Sequence, residues 1–197
     1  MTRHRSATTP PPSDGPVVHR AAGDAPEVRD GRRLVFYAAV FNRYSLPITE
    51  DGRTFREVVR PGAFTDTLAA GGDVYACLEH VEAQSFARRA GGSLLLTEDP
   101  RGLFASCYLP DGPANDRILA DVRAGAYRCS FGFKTVRDRW HDPKPGGPPL
   151  PLCELLAVDL VDVSLTRTPA YRETVASVRT AGDRTRERRI RLLKLRG

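Results

Sequence analysis

The stretch that decides the fold is Arg128-Cys129-Ser130-Phe131-Gly132-Phe133, an apolar segment with one hydroxyl near its start. Side chains alternate between the two faces of a β-strand, so Phe131 and Phe133 share one face and Ser130 shares the other with Gly132. A glycine inside a strand often marks the close approach of a ligand or another backbone. The segment therefore predicts a core strand with an approachable serine oxygen. A core strand with an ordinary surface serine is the alternative.

Apolar runs on both sides of this segment predict further strands and two short helices. Besides the Ser130 strand, which is expected to run to about Trp140, strands are expected over residues 34–41, 54–59, 73–78, 84–89, 93–97, 103–109 and 150–165. One helix should begin at Pro61 and end before Gly71, and another should cover residues 114–124. This count predicts a mostly β, α+β fold: an antiparallel β-barrel with short helices packed outside it.

The two ends of the chain differ in composition from its middle. Residues 1–31 are rich in Pro, Ser, Thr and Gly, which predicts a disordered leader, and one ordered domain is expected over residues 32–178. Residues 179–197 hold eight basic and two acidic residues and so carry the whole net charge of +6. This basic tail suits an acidic partner, either nucleic acid or an acidic protein surface. The neutral body offers no basic face, so nucleic-acid binding is not the favoured function.

The cysteines indicate neither a disulfide framework nor a metal centre. Cys77, Cys107, Cys129 and Cys153 are widely spaced and form no C-x-x-C pair, which favours free, buried thiols. Cys77-x-x-His80 hints at metal ligation, but no second close pair completes a zinc site, so we expect no metal and no cofactor. The chain also lacks an apolar run near the roughly 18 residues of a membrane span, and its N-terminus lacks a signal-peptide apolar region. A cytoplasmic protein is expected.

A catalytic role for Ser130 needs a base, because a neutral hydroxyl is a weak nucleophile and histidine is the usual partner. The chain has four histidines. His4 and His19 lie in the predicted leader, and His141 lies beside a Pro/Gly-rich loop. His80 comes at the end of a predicted strand, where rigid scaffolds commonly present catalytic groups. His80 is therefore the leading candidate and His141 the reserve, while an ordinary surface-turn histidine is the alternative for His80.

A third group would orient the imidazole and stabilise its cation. Asp162 is the candidate, because it interrupts the apolar run Leu160-Val161-Asp162-Val163-Ser164-Leu165. A carboxylate inside such a strand is costly unless it is paired or hydrogen-bonded. Asp159 is a rival and Glu154 a weaker one. The sequence has no G-x-S-x-G motif, so an α/β-hydrolase nucleophile elbow is not supported.

Several motifs occur in an order that resembles a known family. They are Ala39-Val40-Phe41-Asn42, then Phe55-Arg56-Glu57-Val58-Val59-Arg60-Pro61-Gly62-Ala63-Phe64, the strand ending in His80, Leu94-Leu95-Leu96-Thr97-Glu98-Asp99, Ser130-Phe131-Gly132-Phe133, and Asp162-Val163-Ser164-Leu165-Thr166-Arg167-Thr168-Pro169-Ala170-Tyr171. Over residues 34–174 the chain resembles the prohead (capsid maturation) serine proteases of tailed bacteriophages, which are relatives of the herpesvirus assemblins.

The resemblance implies a role for each matching position. Ser130 matches the nucleophile of an S-x-G-F motif and His80 the base, while Asp162 stands where the family usually has Glu in E-V-S-L. Backbone groups near Arg167 would bind the oxyanion. The implied fold is an assemblin-like β-barrel.

The implied activity is endopeptidase cleavage of scaffold and capsid-protein segments, with self-cleavage, inside the assembling prohead in the host cytoplasm. The implied partners are the major capsid protein with its scaffold segment, and further copies of the chain in a homo-oligomer. A catalytically silent capsid-assembly module with the same fold is the alternative function.

Overall fold

The structure is a computed structural model that describes residues 14–22 and 24–167; the predicted basic tail lies outside these ranges. The described residues form eleven strands and two helices, so the prediction of a mostly β fold with short helices is confirmed. The strands are β1 Val18–Ala21, β2 Glu27–Arg29, β3 Arg33–Val40, β4 Ile48–Glu50, β5 Arg53–Val59, β6 Tyr75–Leu78, β7 Val81–Arg88, β8 Leu94–Glu98, β9 Gly102–Tyr108, β10 Tyr127–His141 and β11 Leu152–Arg167. The helices are α1 Thr65–Ala70 and α2 Pro113–Arg123.

Two long neighbouring strands, β10 and β11, form the centre of the larger, seven-stranded sheet. They pair antiparallel along almost their full length, which sets Gly132 opposite Asp162 and Ser130 opposite Ser164. The other edge of β11 pairs in parallel with β5 near its start and with β6 near its end. The stretch around Ser130 is thus held on the strand next to Asp162, and β6 lies beyond Asp162.

The second sheet is antiparallel, in the order β2-β3-β9-β8, and shares one apolar core with the first. The largest fully buried side chains come from both sheets and from the segment before α1, and they include Phe64, Phe133, Leu34 and Leu103. Phe131 packs edge-on against Phe64 with ring centroids 5.7 Å apart. The apolar face predicted for Phe131 and Phe133 is therefore the core face, and it leaves Ser130 and Gly132 on the opposite side of the sheet.

Two features differ from the sequence prediction. No closed barrel is found among the strands of the described ranges, and two strand pairs of the larger sheet are parallel. The disordered leader predicted over residues 1–31 is wrong for Val18–Ala21 and Glu27–Arg29, where β1 pairs with β10 and β2 pairs with β3. Backbone hydrogen bonds to a partner strand order these short segments, and side-chain composition does not report such bonds. Neither helix in the part of the chain that the structure describes is long and apolar enough to cross a membrane.

Candidate active site

Three side chains meet on the face of the larger sheet that points away from the core. His80 Nε2 lies 2.7 Å from Ser130 Oγ, and His80 Nδ1 lies 2.7 Å from Asp162 Oδ1. A carboxylate oxygen accepts from an N–H, so with the proton of the ring on Nδ1 the imidazole donates to Asp162 and keeps a lone pair on Nε2 that faces Ser130 Oγ. The imidazole therefore links a hydroxyl to a buried carboxylate in the geometry of a nucleophile, a base and an orienting group.

The turn between β6 and β7 places the imidazole. Leu78 pairs with Val81, so Glu79 and His80 form a two-residue hairpin loop, and both have left-handed backbone angles (φ 53° and 58°). Such a turn normally uses Asn and Gly, because a β-carbon disfavours this conformation. The tertiary structure holds it: the His80 backbone N–H donates to Ser164 Oγ over 2.9 Å. Backbone strain of this kind is concentrated at functional sites.

Asp162 is almost completely enclosed, with 1% of its side chain exposed. Gly132 makes room for it, because a β-carbon added to Gly132 would lie 2.1 Å from Asp162 Oδ2. The Cys77 thiol also donates to Asp162 Oδ1 over 3.8 Å. Gly132, two residues after Ser130 and on the same face of the strand, thus allows a close approach such as the sequence suggested, and the group that approaches is the Asp162 carboxylate.

The N-terminal strand β1 contributes two further residues to this site. The His19 ring stacks on the His80 ring with centroids 3.9 Å apart and planes 18° apart, and His19 Nε2 lies 3.9 Å from Asp162 Oδ2. The Ser130 hydroxyl donates to the backbone oxygen of Arg20 over 2.8 Å. Ser130 is consequently only 3% exposed.

Comparison with known proteins decides the family. A model of the caudovirus prohead serine proteases matches residues 23–188, most of the chain. The chain belongs to this family. The search of curated proteins and the search of solved structures each returned no match. The resemblance noted from the sequence motifs is thereby confirmed, and a prohead serine protease is a protein of bacteriophage capsid maturation.

The other acidic and basic candidates of this family member lie elsewhere. Asp159 Oδ1 accepts a long hydrogen bond of 3.5 Å from the hydroxyl of Thr67, a residue of α1. Glu154 accepts from Arg60 and lies 3.1 Å from His141 Nε2. The Arg60 and His141 contacts hold the pKa of the Glu154 carboxyl below its usual value, despite burial. The structure brings together Ser130, His80 and Asp162 and leaves these rivals in separate contacts.

Sequence reasoning missed three residues of the site. The sequence analysis places His19 and Arg20 in a disordered leader, and the only local signal for a strand is the pair of adjacent β-branched residues Val17 and Val18. Ser164 was read only as part of a motif, although a serine inside an apolar strand must find hydrogen-bond partners. Its hydroxyl accepts from His80 and donates to the Cys77 backbone oxygen over 3.1 Å.

One predicted oxyanion donor already has a partner. The Arg167 backbone N–H donates to Glu79 Oε1 over 2.7 Å, so it is not available in this conformation. The contact instead fixes the turn that carries His80. The oxyanion donors expected near Arg167 would then be other backbone N–H groups, and that expectation stays a prediction.

The site is better suited to proton transfer than to binding a metal. Ligand atoms of His19, His80 and Asp162 lie within 4.8 Å of one another. The two imidazoles are nearly parallel, however, so their in-plane nitrogen lone pairs do not converge on one point.

The four cysteines are free and buried, as expected, and burial raises the pKa of the Cys77 thiol to about 12, with the charge of Asp162 adding to the shift. Such a thiol is inert at neutral pH.

Proposed function

We propose that this protein is a serine endopeptidase that cleaves scaffold and capsid-protein segments, and itself, during prohead maturation. Ser130 is the nucleophile, His80 the general base and acid, and Asp162 the group that orients His80. The observation that carries the proposal is the pair of 2.7 Å contacts through which His80 bridges Ser130 and Asp162. Family membership supports the reaction class, because the family consists of prohead serine proteases.

The reaction divides into two acyl transfers. His80 Nε2 takes the proton as Ser130 Oγ bonds to the scissile carbonyl carbon, and Asp162 stabilises the resulting imidazolium. When the carbon–nitrogen bond breaks, His80 gives that proton to the departing amine. Water then enters, loses a proton to His80 and attacks the acyl carbon. Ser130 Oγ leaves with the proton returned by His80, which restores the starting site.

The proposed partners follow from the same reaction. The substrates are the major capsid protein with its scaffold segment, and the reaction takes place inside the assembling prohead in the host cytoplasm. Several copies of the chain in one shell would suit a homo-oligomeric enzyme. The basic tail of residues 179–197 would dock on acidic scaffold by charge.

The test is to express the wild type, Ser130→Ala and Ser106→Ala with the cognate capsid protein and to measure the intact mass of every chain. Ser106 is a buried serine of the other sheet and is the matched control. We expect new termini with the wild type and Ser106→Ala and none with Ser130→Ala. Cleavage that persists in Ser130→Ala would overturn the assignment. Absence of cleavage in all three would favour the silent capsid-assembly module.

A further inference from the structure

Access to the Ser130 oxygen is blocked by the protein's own N-terminal strand. The hydroxyl has one proton and two acceptors within reach, His80 Nε2 at 2.7 Å and the Arg20 backbone oxygen at 2.8 Å. A proton donated to Arg20 is not shared with the base, so this contact competes with activation of the serine. His19, the neighbour of Arg20, covers the His80 ring at the same time. A substrate carbonyl therefore needs β1 to leave.

The strand β1 occupies the place that an extended peptide would take. It is the edge strand of the larger sheet and pairs antiparallel with β10, with Arg20 opposite Phe131 and Ala21 opposite Ser130. An extended peptide binds to a sheet edge through the same main-chain hydrogen bonds, and side-chain pockets give it specificity. The β1 strand has only four residues, and the family match begins at residue 23, after its end. The part of the chain that matches the family thus does not include β1.

The side chain of Arg20 fills an acidic pocket next to this edge. Its guanidinium donates to Glu57 at 2.9 and 3.1 Å and to Glu50 at 3.0 and 3.3 Å. Planar, paired contacts of this kind suit a guanidinium better than an ammonium. Burial raises the pKa of the Glu57 carboxyl although Arg20 pulls against this shift, so an empty pocket would leave a costly buried acid.

A cavity of about 280 Å³ continues from this pocket. Its wall is largely apolar and includes Tyr44, Leu46 and Phe131. Tyr44 and Leu46 are 57% and 61% exposed, so both offer apolar surface to a bound peptide. The acidic pocket can hold the charged head of an arginine, and this wall can hold apolar neighbours in the same peptide.

We propose that the edge of β10 is the substrate groove, that β1 occupies it in this structure, and that Glu50 and Glu57 select an arginine in the peptide that replaces β1. The proposal rests on the peptidase function proposed above. The carbonyl that lies against Ser130 Oγ belongs to Arg20, so the selected arginine precedes the scissile bond. The substrates are then extended peptides with arginine on the carbonyl side of the cut.

The experiment uses the full chain and a labelled ten-residue peptide that copies residues 15–24, in a version with arginine and a version with leucine at the position of Arg20. The protein variants are Arg20→Ala, which empties the pocket, and Arg29→Ala, which removes an exposed arginine paired with Glu27 on β2. We expect Arg20→Ala to cleave the arginine peptide about tenfold faster than the wild type and Arg29→Ala, since a weakened occupant competes less. The rate of cleavage of the leucine peptide should stay low in all three proteins.

Two further measurements keep the test decisive if Arg20→Ala is unstable. The arginine peptide should raise the melting temperature of Arg20→Ala and not that of the wild type, because it refills the pocket. Glu50→Gln should reduce the preference for arginine over leucine. Where hydrolysis is measurable, equal rates on both peptides, or an Arg20→Ala rate at or below that of the wild type, would contradict the proposed groove.

The experiment distinguishes a wrong groove proposal from a wrong peptidase proposal. Hydrolysis without arginine preference keeps the peptidase and removes this inference. If no variant hydrolyses either peptide, fluorescence anisotropy of the Ser130→Ala, Arg20→Ala double variant decides. Binding of the arginine peptide in preference to the leucine peptide would support the groove without catalysis, and equal or absent binding would overturn it.

Discussion

His19 lies face to face with His80, with the ring centroids 3.9 Å apart. His19 belongs to β1 and His80 to the turn after β6, so this contact joins the N-terminal strand directly to the proposed base. Two neighbouring residues of β1 thus contact the site: His19 covers the His80 imidazole, and the backbone oxygen of Arg20 accepts from the Ser130 hydroxyl. Because the rings are stacked, a displacement of β1 that moves His19 should also uncover the His80 ring.

Replacing His19 by alanine should uncover the site. An aromatic pair contributes about 0.5–1.5 kcal/mol, so His19→Ala should raise the rate on the arginine peptide about two- to tenfold by loosening β1. His19→Phe, which keeps the stacked ring, should behave like the wild type. The measurement is the initial rate at saturating and at low peptide. A fall in kcat with unchanged KM in both variants would contradict the covering role and make His19 a positioning residue.

Replacing Asp162 by asparagine should lower kcat strongly, whereas the same replacement at Asp159 should not. Asp162→Asn keeps the size of the side chain but removes the charge that fixes the tautomer of His80, and such a change costs about 10⁴-fold in kcat in other serine proteases. Asp159→Asn is the matched control, since its contact is the 3.5 Å one from Thr67. Its kcat should stay near that of the wild type. Loss of activity in Asp159→Asn with activity retained in Asp162→Asn would exchange their roles.

Ser164 should act through the turn that carries His80. In Ser164→Ala the His80 backbone N–H loses its acceptor, and an unsatisfied buried donor costs about 1–3 kcal/mol. The left-handed turn should relax, so we expect kcat to fall about tenfold or more with little change in KM. The buried Ser106→Ala provides the comparison. Equal kcat in these two variants would show that the turn holds without this hydrogen bond.

Gly132 should not tolerate a methyl group. In Gly132→Ala the added carbon would lie 2.1 Å from Asp162 Oδ2 and 2.9 Å from His19 Cδ2, so the carboxylate must move away from His80. Overpacking of this kind costs about 1–3 kcal/mol of folding stability, and the loss of activity should be larger than the loss of stability. Gly72→Ala meets no atom within 4 Å and is the control for both measurements. Wild-type activity in Gly132→Ala would show that Asp162 does not need this space.

Much of the site could be predicted because a few residues violate the pattern of their surroundings. Asp162 interrupts an apolar strand, and Gly132 interrupts another beside a serine. Each violation has a physical cost that only a partner removes, so each points to an interaction. His80 was the one histidine placed at a strand end, and its bonds to Ser130 and Asp162 agree with that prediction of position.

The contribution of β1 could not be predicted in the same way. Its four residues carry a weak apolar pattern, and they follow a proline-rich stretch that is typical of disorder. The strand is held by hydrogen bonds to β10, more than one hundred residues later, and by the ion pairs of Arg20 with Glu50 and Glu57. Neither interaction leaves a local signal in the residues themselves.

The sequence by itself determined the mostly β fold, the two short helices, the family and the strands that carry Ser130 and Asp162, because apolar periodicity and motif order are local properties of the chain. Only the tertiary structure decided that the sheets leave no closed barrel in the described ranges and that β11 has parallel neighbours. It also decided that β1 lies over the proposed nucleophile. Strand order and edge occupancy depend on which distant backbone groups pair, and any strand can offer the same N–H and C=O groups to several partners.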